Sequence, residues 1–448
     1  MEIHFEKSSG INSENELPLY EIWAKTKKGD PNKLLKQGIW AYFLLLIFEG
    51  ALRKWVLPGL STPLLLIRDP IAIGLVLIAA YRRLLTFNFY MSGLILIGIV
   101  AIYTAIFAGH GNLIVALYGA RIFIFHFPLI FVIGRVFTRA DVEYLGKVTT
   151  ILVIPLTILI ALQFFTPQSS LVNRGVGGNM EGGGFNGGAM GFLRPSGTFS
   201  FTNGSSLFFS FSATFIFYFW LAPKEKINRF LLIAATAGLV ASIPLSISRS
   251  LFFQIIITLI FALIAVSRKP KYIGKMMKAI AGIAVALAIL SQIGFFKTSM
   301  EAFTERFSGA NESEGGLNGV LGDRYLNGFV GSILSGTKVP VLGYGIGMGS
   351  SVGGMLLTGD TVRISEDDWG REIGELGLTM GLLVILIRVG LTLKVAVGSY
   401  RKLVKGDLLP WLILSFALLI LPQGEWAQPS ALGFSVLVGG LMLASTKN

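Results

Sequence analysis

Long apolar runs alternate with short polar stretches along this chain. The pattern predicts membrane-crossing helices at about 37–57, 63–81, 91–108, 113–134, 145–166, 198–221, 230–247, 250–266, 275–296, 373–396, 407–421 and 427–444. Many of these runs reach the roughly 18 residues needed to cross a hydrocarbon core about 30 Å thick. The runs after 407 and the tight pair meeting near 247–250 are the shortest. The expected fold is therefore an all-α polytopic membrane protein with about 12 transmembrane helices.

The polar intervals divide the chain further. Residues 1–36 read as a cytoplasmic N-terminal segment. Residues 37–296 hold helices 1–9, with a Gly-rich outer loop at 167–197, "NRGVGGNMEGGGFNGGAMGFLRPSG", that reads as a flexible lid or a poorly ordered connection. Residues 297–372 form a large extracytoplasmic loop between helices 9 and 10. Residues 373–448 carry helices 10–12 and a short cytoplasmic tail. Within the large loop, Leu326, Phe329, Val330, Ile333 and Leu334 recur at helical spacing and predict a short amphipathic helix with Arg324 near its start. "VPVLGYGIGMGS" reads as a tight glycine turn. It lacks the Gly-Lys-Ser/Thr ending of a P-loop, so it does not read as one. No internal repeat is evident.

Composition settles the class. Length alone would allow roughly three soluble domains. The 448 residues are 53% hydrophobic with a mean hydropathy of +0.69, above the roughly 45–50% apolar share of soluble domains. With no cysteine, disulfides and thiolate metal sites are excluded. The net charge of +13 would point to nucleic acid on a soluble protein, but here its placement matters more. Most of the 38 Lys and Arg fall on the side of the N-terminus, including Arg82, Arg83, Arg135, Arg139 and the run "SRKPKYIGKMMK". That bias predicts both termini in the cytoplasm. The first 33 residues are polar and lack a secretory signal, so the first membrane helix is expected to serve as its own insertion signal.

The informative polar residues gather on the opposite, outer side. Arg194 lies in "LRPSGTFSFTNGSS", Arg249 in "SISRSLF" and Arg324 in the large loop. Arginines converging there would favour a multiply charged anion, because guanidinium forks pair with phosphate oxygens. The plainer readings are a headgroup-snorkelling Arg249, a solvated Arg324 and an Arg194 tied to a carbonyl. "ISEDDWGREIGELG" closes the loop with Glu366, Asp367, Asp368, Arg371, Glu372 and Glu375. Part of it is an acidic helix start, with Ser365 or Asp367 as cap and Asp368 and Glu372 favoured by the helix dipole. Arg371 and Glu375 run on into the span four residues apart, which that reading leaves unexplained. Arg68 and Asp69 are expected to pair with each other or with a neighbouring helix. Arg121 and His126 either reach a cavity or pack structurally. In "FEGALRKWVLP", Arg53, Lys54 and Trp55 read as interface anchors, and Glu49 is a candidate for a functional role. With three histidines, none in the large loop, a His-based metal site or a Ser-His-Asp triad is not expected. Mg²⁺ or Mn²⁺ on Glu366, Asp367 and Asp368 stays an alternative.

Four segments, in order, resemble the O-antigen ligase and polymerase superfamily, membrane-embedded class C glycosyltransferases. They are "RPSGTFSFTNGSS", "SISRS", "GDRYLNGFVGSILSGTKVPVLGYGIG" and "SEDDWGREIGELGLTMGLL", spanning about 194–382. The outer spans match in number only. The resemblance implies an undecaprenyl-diphosphate-linked glycan donor in the bacterial plasma membrane, an extracytoplasmic active site and inverting transfer without metal or other cofactor. Arg249 and Arg324, with Arg194 next, would hold the diphosphate. The ligase branch places a histidine base nine residues before the Glu of its Glu-x-Gly core. Here that Glu is Glu375, and the position nine back is Glu366. The departure favours a polymerase of cell-surface polysaccharide over a ligase. Glu366, with Asp367 in reserve, would be the base, and Arg371, Glu375, Arg121 and Glu49 would support. The implied partners are the lipid-linked donor, a glycan acceptor, membrane lipids and a chain-length regulator. Ligase-type transfer to a lipid or protein acceptor, and transport or flipping of a lipid-linked oligosaccharide, are the competing functions.

Overall fold

The computed structural model describes residues 30–179, 187–223, 226–268, 273–292, 294–314, 331, 339–360, 364–365 and 367–447. These residues are overwhelmingly helical. In chain order the helices are α1 (Lys33–Ala51), α2 (Arg68–Tyr81), α3 (Phe89–Phe107), α4 (Leu113–Val136), α5 (Arg139–Phe165), α6 (Thr202–Leu221), α7 (Arg229–Leu245) and α8 (Arg249–Ser267). There follow α9 (Ile273–Ser291), α10 (Gly294–Glu314), the short α11 (Ser351–Thr358), α12 (Asp368–Val404), α13 (Leu409–Gln423) and α14 (Pro429–Ser445). Among the described residues, eight segments are long and apolar enough to cross a membrane: those containing α1 to α6, α8 and α12. Helices α7, α13 and α14 are apolar but shorter.

Local chemistry fixes where the helices begin. Asn88, Asn112, Asn228 and Ser248 each accept a backbone N–H at their own helix start, satisfying donors that the first turn leaves unpaired. Thr138 and Asp141 form a reciprocal capping box. That box starts α5 at Arg139, six residues before the apolar run at 145 predicts. Apolar periodicity marks only the hydrocarbon-spanning part, and the cap extends the helix into polar sequence.

Helices α4 and α14 pack together most extensively. A Cβ on Gly440 would lie 2.5 Å from the Ile133 Cβ, so the missing side chain sets how closely the two approach. Phenylalanines of α6 interlock with α13 and α14, as in Phe211–Phe416 and Phe211–Phe434.

Two loop expectations change. The apolar pattern predicts a ninth span over about 275–296. The structure ends α9 at Ser291 and starts a second helix, α10, at Gly294, so the large loop opens as a helix. In the Gly-rich loop, Gly187–Ala189 and Phe192–Leu193 form an antiparallel hairpin, β1–β2. The amphipathic helix predicted around Arg324 lies outside the described residues, apart from position 331.

Candidate functional site

Helix α12 is broken. Gly377 sits at φ +78°, ψ 165°, which stops the helix and restarts it within the same run. The break frees the carbonyls of Gly374 and Glu375. The glycine segment after Pro340 takes them up: Tyr344 N–H donates to Gly374 O (2.9 Å) and Gly345 N–H to Glu375 O (3.0 Å). A Cβ on Gly377 would lie 2.0 Å from Val341 O. The glycines of "VLGYGIG" and "ELG" thus lock two backbones together, a pairing neither segment reveals alone.

The acids at the start of α12 are mostly committed. Asp367 caps the helix, accepting from Gly370 N–H (2.5 Å). Asp368 and Glu372 are not a solvated first turn, contrary to the expectation. Both are buried, and both accept from Arg388 Nη1 at 2.5 Å, from deep in the same helix. Arg371 joins Asp368 Oδ1 (2.9 Å) to Glu375 Oε2 (2.8 Å), and Glu375 Oε1 accepts from Gly349 N–H (2.8 Å). Arg388 also donates to the carbonyls of Leu421 and Gly424 and stacks on Trp426. Arg371 and Glu375, singled out as supporting residues, therefore hold the broken helix to the glycine segment, and Arg388 holds it to the α13–α14 turn. Asp368, with both oxygens on guanidinium groups, is not free for the carboxylate-metal alternative. Glu366 lies outside the described residues, as does Arg324.

A second cluster forms where α8, α10 and the hairpin meet. Phe192 stacks on Phe164 of α5 (4.5 Å), and Gly188 lies against Ile247. Ile247 is buried at φ +47°, unusual for a β-branched residue, and makes the sharp turn from α7 into α8. Ser248 then caps α8, supported by the Ser206 hydroxyl (2.9 Å), and Arg249 is its first residue. Phe252 of α8 packs edge-on against Phe303 (5.9 Å) and Phe307 (5.7 Å) of α10, which brings Arg306 alongside. Burial, then the charges of Arg306 and Arg249, push the Arg194 pKa below its ordinary value. An arginine so placed stays protonated. No described carboxylate contributes to that shift, and the buried Arg194 Nε has no hydrogen-bond partner among the described residues. Like charges held together with an unsatisfied donor make a site that an anion would complete.

Arg306 was missed because the sequence pattern ended its span at 296. Its signal resembles that of Arg194, a cation just beyond an apolar run, here beside Phe303 and Phe307 one helical turn apart.

The segment carrying Arg194 is clamped from beneath. Lys54 donates to Ser196 Oγ (2.9 Å) and Gly197 O (2.7 Å), Arg53 to Ser200 Oγ (2.8 Å), and Gly197 N–H to Gln163 Oε1 (2.7 Å). Arg53 and Lys54 are 6% and 0% exposed, so they are not the interface anchors that their position at a span end implies. A Cβ on Gly50 would collide with the Phe199–Ser200 backbone at 2.2 Å, which explains the glycine in "FEGALRK". Glu49 bridges Arg53 (3.3 Å) and Arg68 (3.4 Å) beneath this clamp. Asp69 pairs with Arg121 (2.7 Å) and His126 (2.8 Å), not with its neighbour Arg68. Glu49 and Arg121 thus lie in a packed polar network of the early helices.

The two clusters are connected through the α13–α14 turn. Arg388 holds Gly424, and Gln428 accepts from Asn203 Nδ2 (3.0 Å) at the start of α6, just after the clamped segment. In comparison with known proteins, no family model matches the chain and no curated protein is similar to it.

Proposed function

We propose that this chain is a membrane glycosyltransferase that polymerises, or transfers, undecaprenyl-diphosphate-linked glycan units on the outer face of a bacterial plasma membrane. The observation that supports this reading is the buried Arg194 Nε, which has no hydrogen-bond partner among the described residues and feels the charges of Arg306 and Arg249. A diphosphate matches several forked cations better than a monovalent anion does.

Under this reading the chain crosses the membrane about twelve times, with α7, α9, α13 and α14 added to the eight long apolar segments and both termini inside. The arginines offset the charge that grows on the diphosphate as the anomeric C–O bond breaks. The acceptor hydroxyl oxygen attacks from the opposite face of the sugar and forms the new glycosidic bond. Its proton passes to Glu366, with Asp367 as the reserve. Asp367 already caps α12, which leaves Glu366 the better base. The acceptor is the growing glycan, or a lipid or protein in a ligase-type reaction. No nucleotide or metal is called for.

The partly buried Asp69–His126 pair favours a second reading, because ionisable pairs inside a bundle mark proton paths in carriers. One experiment separates them. Purified protein in detergent is given a lipid-linked repeat unit, with no compartments across which to transport. Longer glycan chains support the transferase, and an unchanged donor in the presence of acceptor rejects it in favour of the carrier.

A further inference from the structure

A groove of about 610 Å³ runs between the start of α3 and the C-terminal halves of α12 and α14, at the end of the bundle opposite the arginine cluster. Two glycines of α12 help shape it. A Cβ on Gly390 would stand 3.2 Å from the Tyr90 ring, and one on Gly398 3.6 Å from Thr446. The wall is apolar, with Leu393, Val395, Val397 and Leu443, and two cations line it, Lys394 and Arg401. They are seven residues apart, so they share a face of α12 and sit about 10 Å apart along its axis. The Lys394 ammonium lies 5.3 Å from the centre of the Tyr90 ring. Among the described residues, no acidic side chain lines the groove.

Lys394 and Arg401 are both exposed, and Leu386, Leu393, Val397 and Val404 form an apolar exposed stripe on the same helix. Cations within a membrane span ordinarily face the protein interior and find acids there. Here they face outward, beside a stripe suited to hydrocarbon, at the end where Arg82, Arg83, Arg135 and Lys447 also gather. Long cationic side chains in such a place reach toward headgroup phosphate.

We infer that this groove is a binding site for an anionic phospholipid of the inner leaflet. Its phosphate is held by Arg401 and Lys394, and an acyl chain lies along Leu393, Val397 and Leu443. Charge complementarity selects the headgroup, since the groove offers two cations and no carboxylate. The inference is independent of the reaction proposed above.

The full-length protein, purified in detergent and supplied with defined lipids, tests it by native mass spectrometry. Phosphatidylglycerol should be retained at least tenfold more than phosphatidylcholine, and millimolar inorganic phosphate should not displace it. Lys394→Gln/Arg401→Gln should lower retention about tenfold. Arg401→Lys, which keeps the charge, and Lys405→Gln, outside the groove lining, should retain the lipid. Unchanged thermal unfolding of the double variant excludes misfolding as the cause, and Arg401→Glu serves as a second charge-reversing variant if the double variant unfolds. Equal retention of the two lipids, displacement by free phosphate, or undiminished binding by the charge-removing variants would overturn the assignment. So would a protein dimer that the double variant dissociates, because a second copy would then fill the groove.

Discussion

Arg388 gives the sharpest test of how the acidic stretch is held. Its guanidinium is fully buried and bonds to Asp368 and Glu372 at 2.5 Å each, to Gly424 O at 2.7 Å and to Leu421 O at 3.1 Å. Arg388→Met keeps an unbranched apolar stem and removes every one of these bonds. Two carboxylates then stay buried with Arg371 as their remaining cation, and two carbonyls lose a donor. Removing one partner of a buried ion pair costs about 3–5 kcal/mol. At about 1.4 kcal/mol per tenfold, the folded-to-unfolded ratio should fall roughly 10²- to 10³-fold or more. Glu372 Oε2 already lacks a hydrogen-bond partner among the described residues, so this carboxylate is the least satisfied member of the set. Adding Glu372→Gln to the Arg388→Met variant should therefore recover about 1–3 kcal/mol, by removing a stranded charge. Reversible unfolding by SDS titration in mixed micelles, run on both single variants and the double, measures the cycle. An Arg388→Met variant within about 1 kcal/mol of the parent, with no recovery in the double, would refute the network as a source of stability.

Replacing Glu366 by Gln should abolish polymer formation while leaving donor binding intact, and full activity in that variant would move the base to Asp367. Arg306→Gln removes one charge-assisted contact worth about 1.5–3 kcal/mol, so lipid-linked donor should bind roughly 10- to 100-fold more weakly in a filter or quenching assay; unaltered affinity would separate Arg306 from the anion site. Gly377→Ala places a methyl where Val341 O stands 2.0 Å away and imposes a left-handed backbone on alanine. Hydrogen exchange should show the 341–349 segment loosened, whereas parental protection there would argue against the interlock. Lys54→Met takes the donor from Ser196 Oγ and leaves Gly197 O only the longer bond from Gln163 Nε2 (3.4 Å), and should expose the segment around Arg194 to limited proteolysis that spares the parent protein.

The class of molecule is legible from the order of residues alone. Apolar runs of spanning length leave no soluble alternative, because a chain so poor in polar surface needs lipid to cover it. The same order also marked Arg194 and Arg249, since a cation at the end of an apolar run reads locally. Where each helix begins was half legible. The apolar period locates a span, but Thr138 and Asp141 extend α5 through a capping bond that the period does not register. What the chain positions could not decide was which charges meet. Arg388 and Asp368 are twenty residues apart on one helix, and Arg53 and Ser200 are 147 apart in sequence. Acids that read as a solvated helix start are buried because one deep arginine draws them in. Two cations that read as interface anchors are buried because a later segment folds over them at Gly50. Arg306 joins Arg194 only through the packing of phenylalanines on α8 and α10. Periodicity and composition are properties of a chain's neighbours in sequence. Charge compensation and the filling of space depend on neighbours in three dimensions, and only the tertiary structure supplies those.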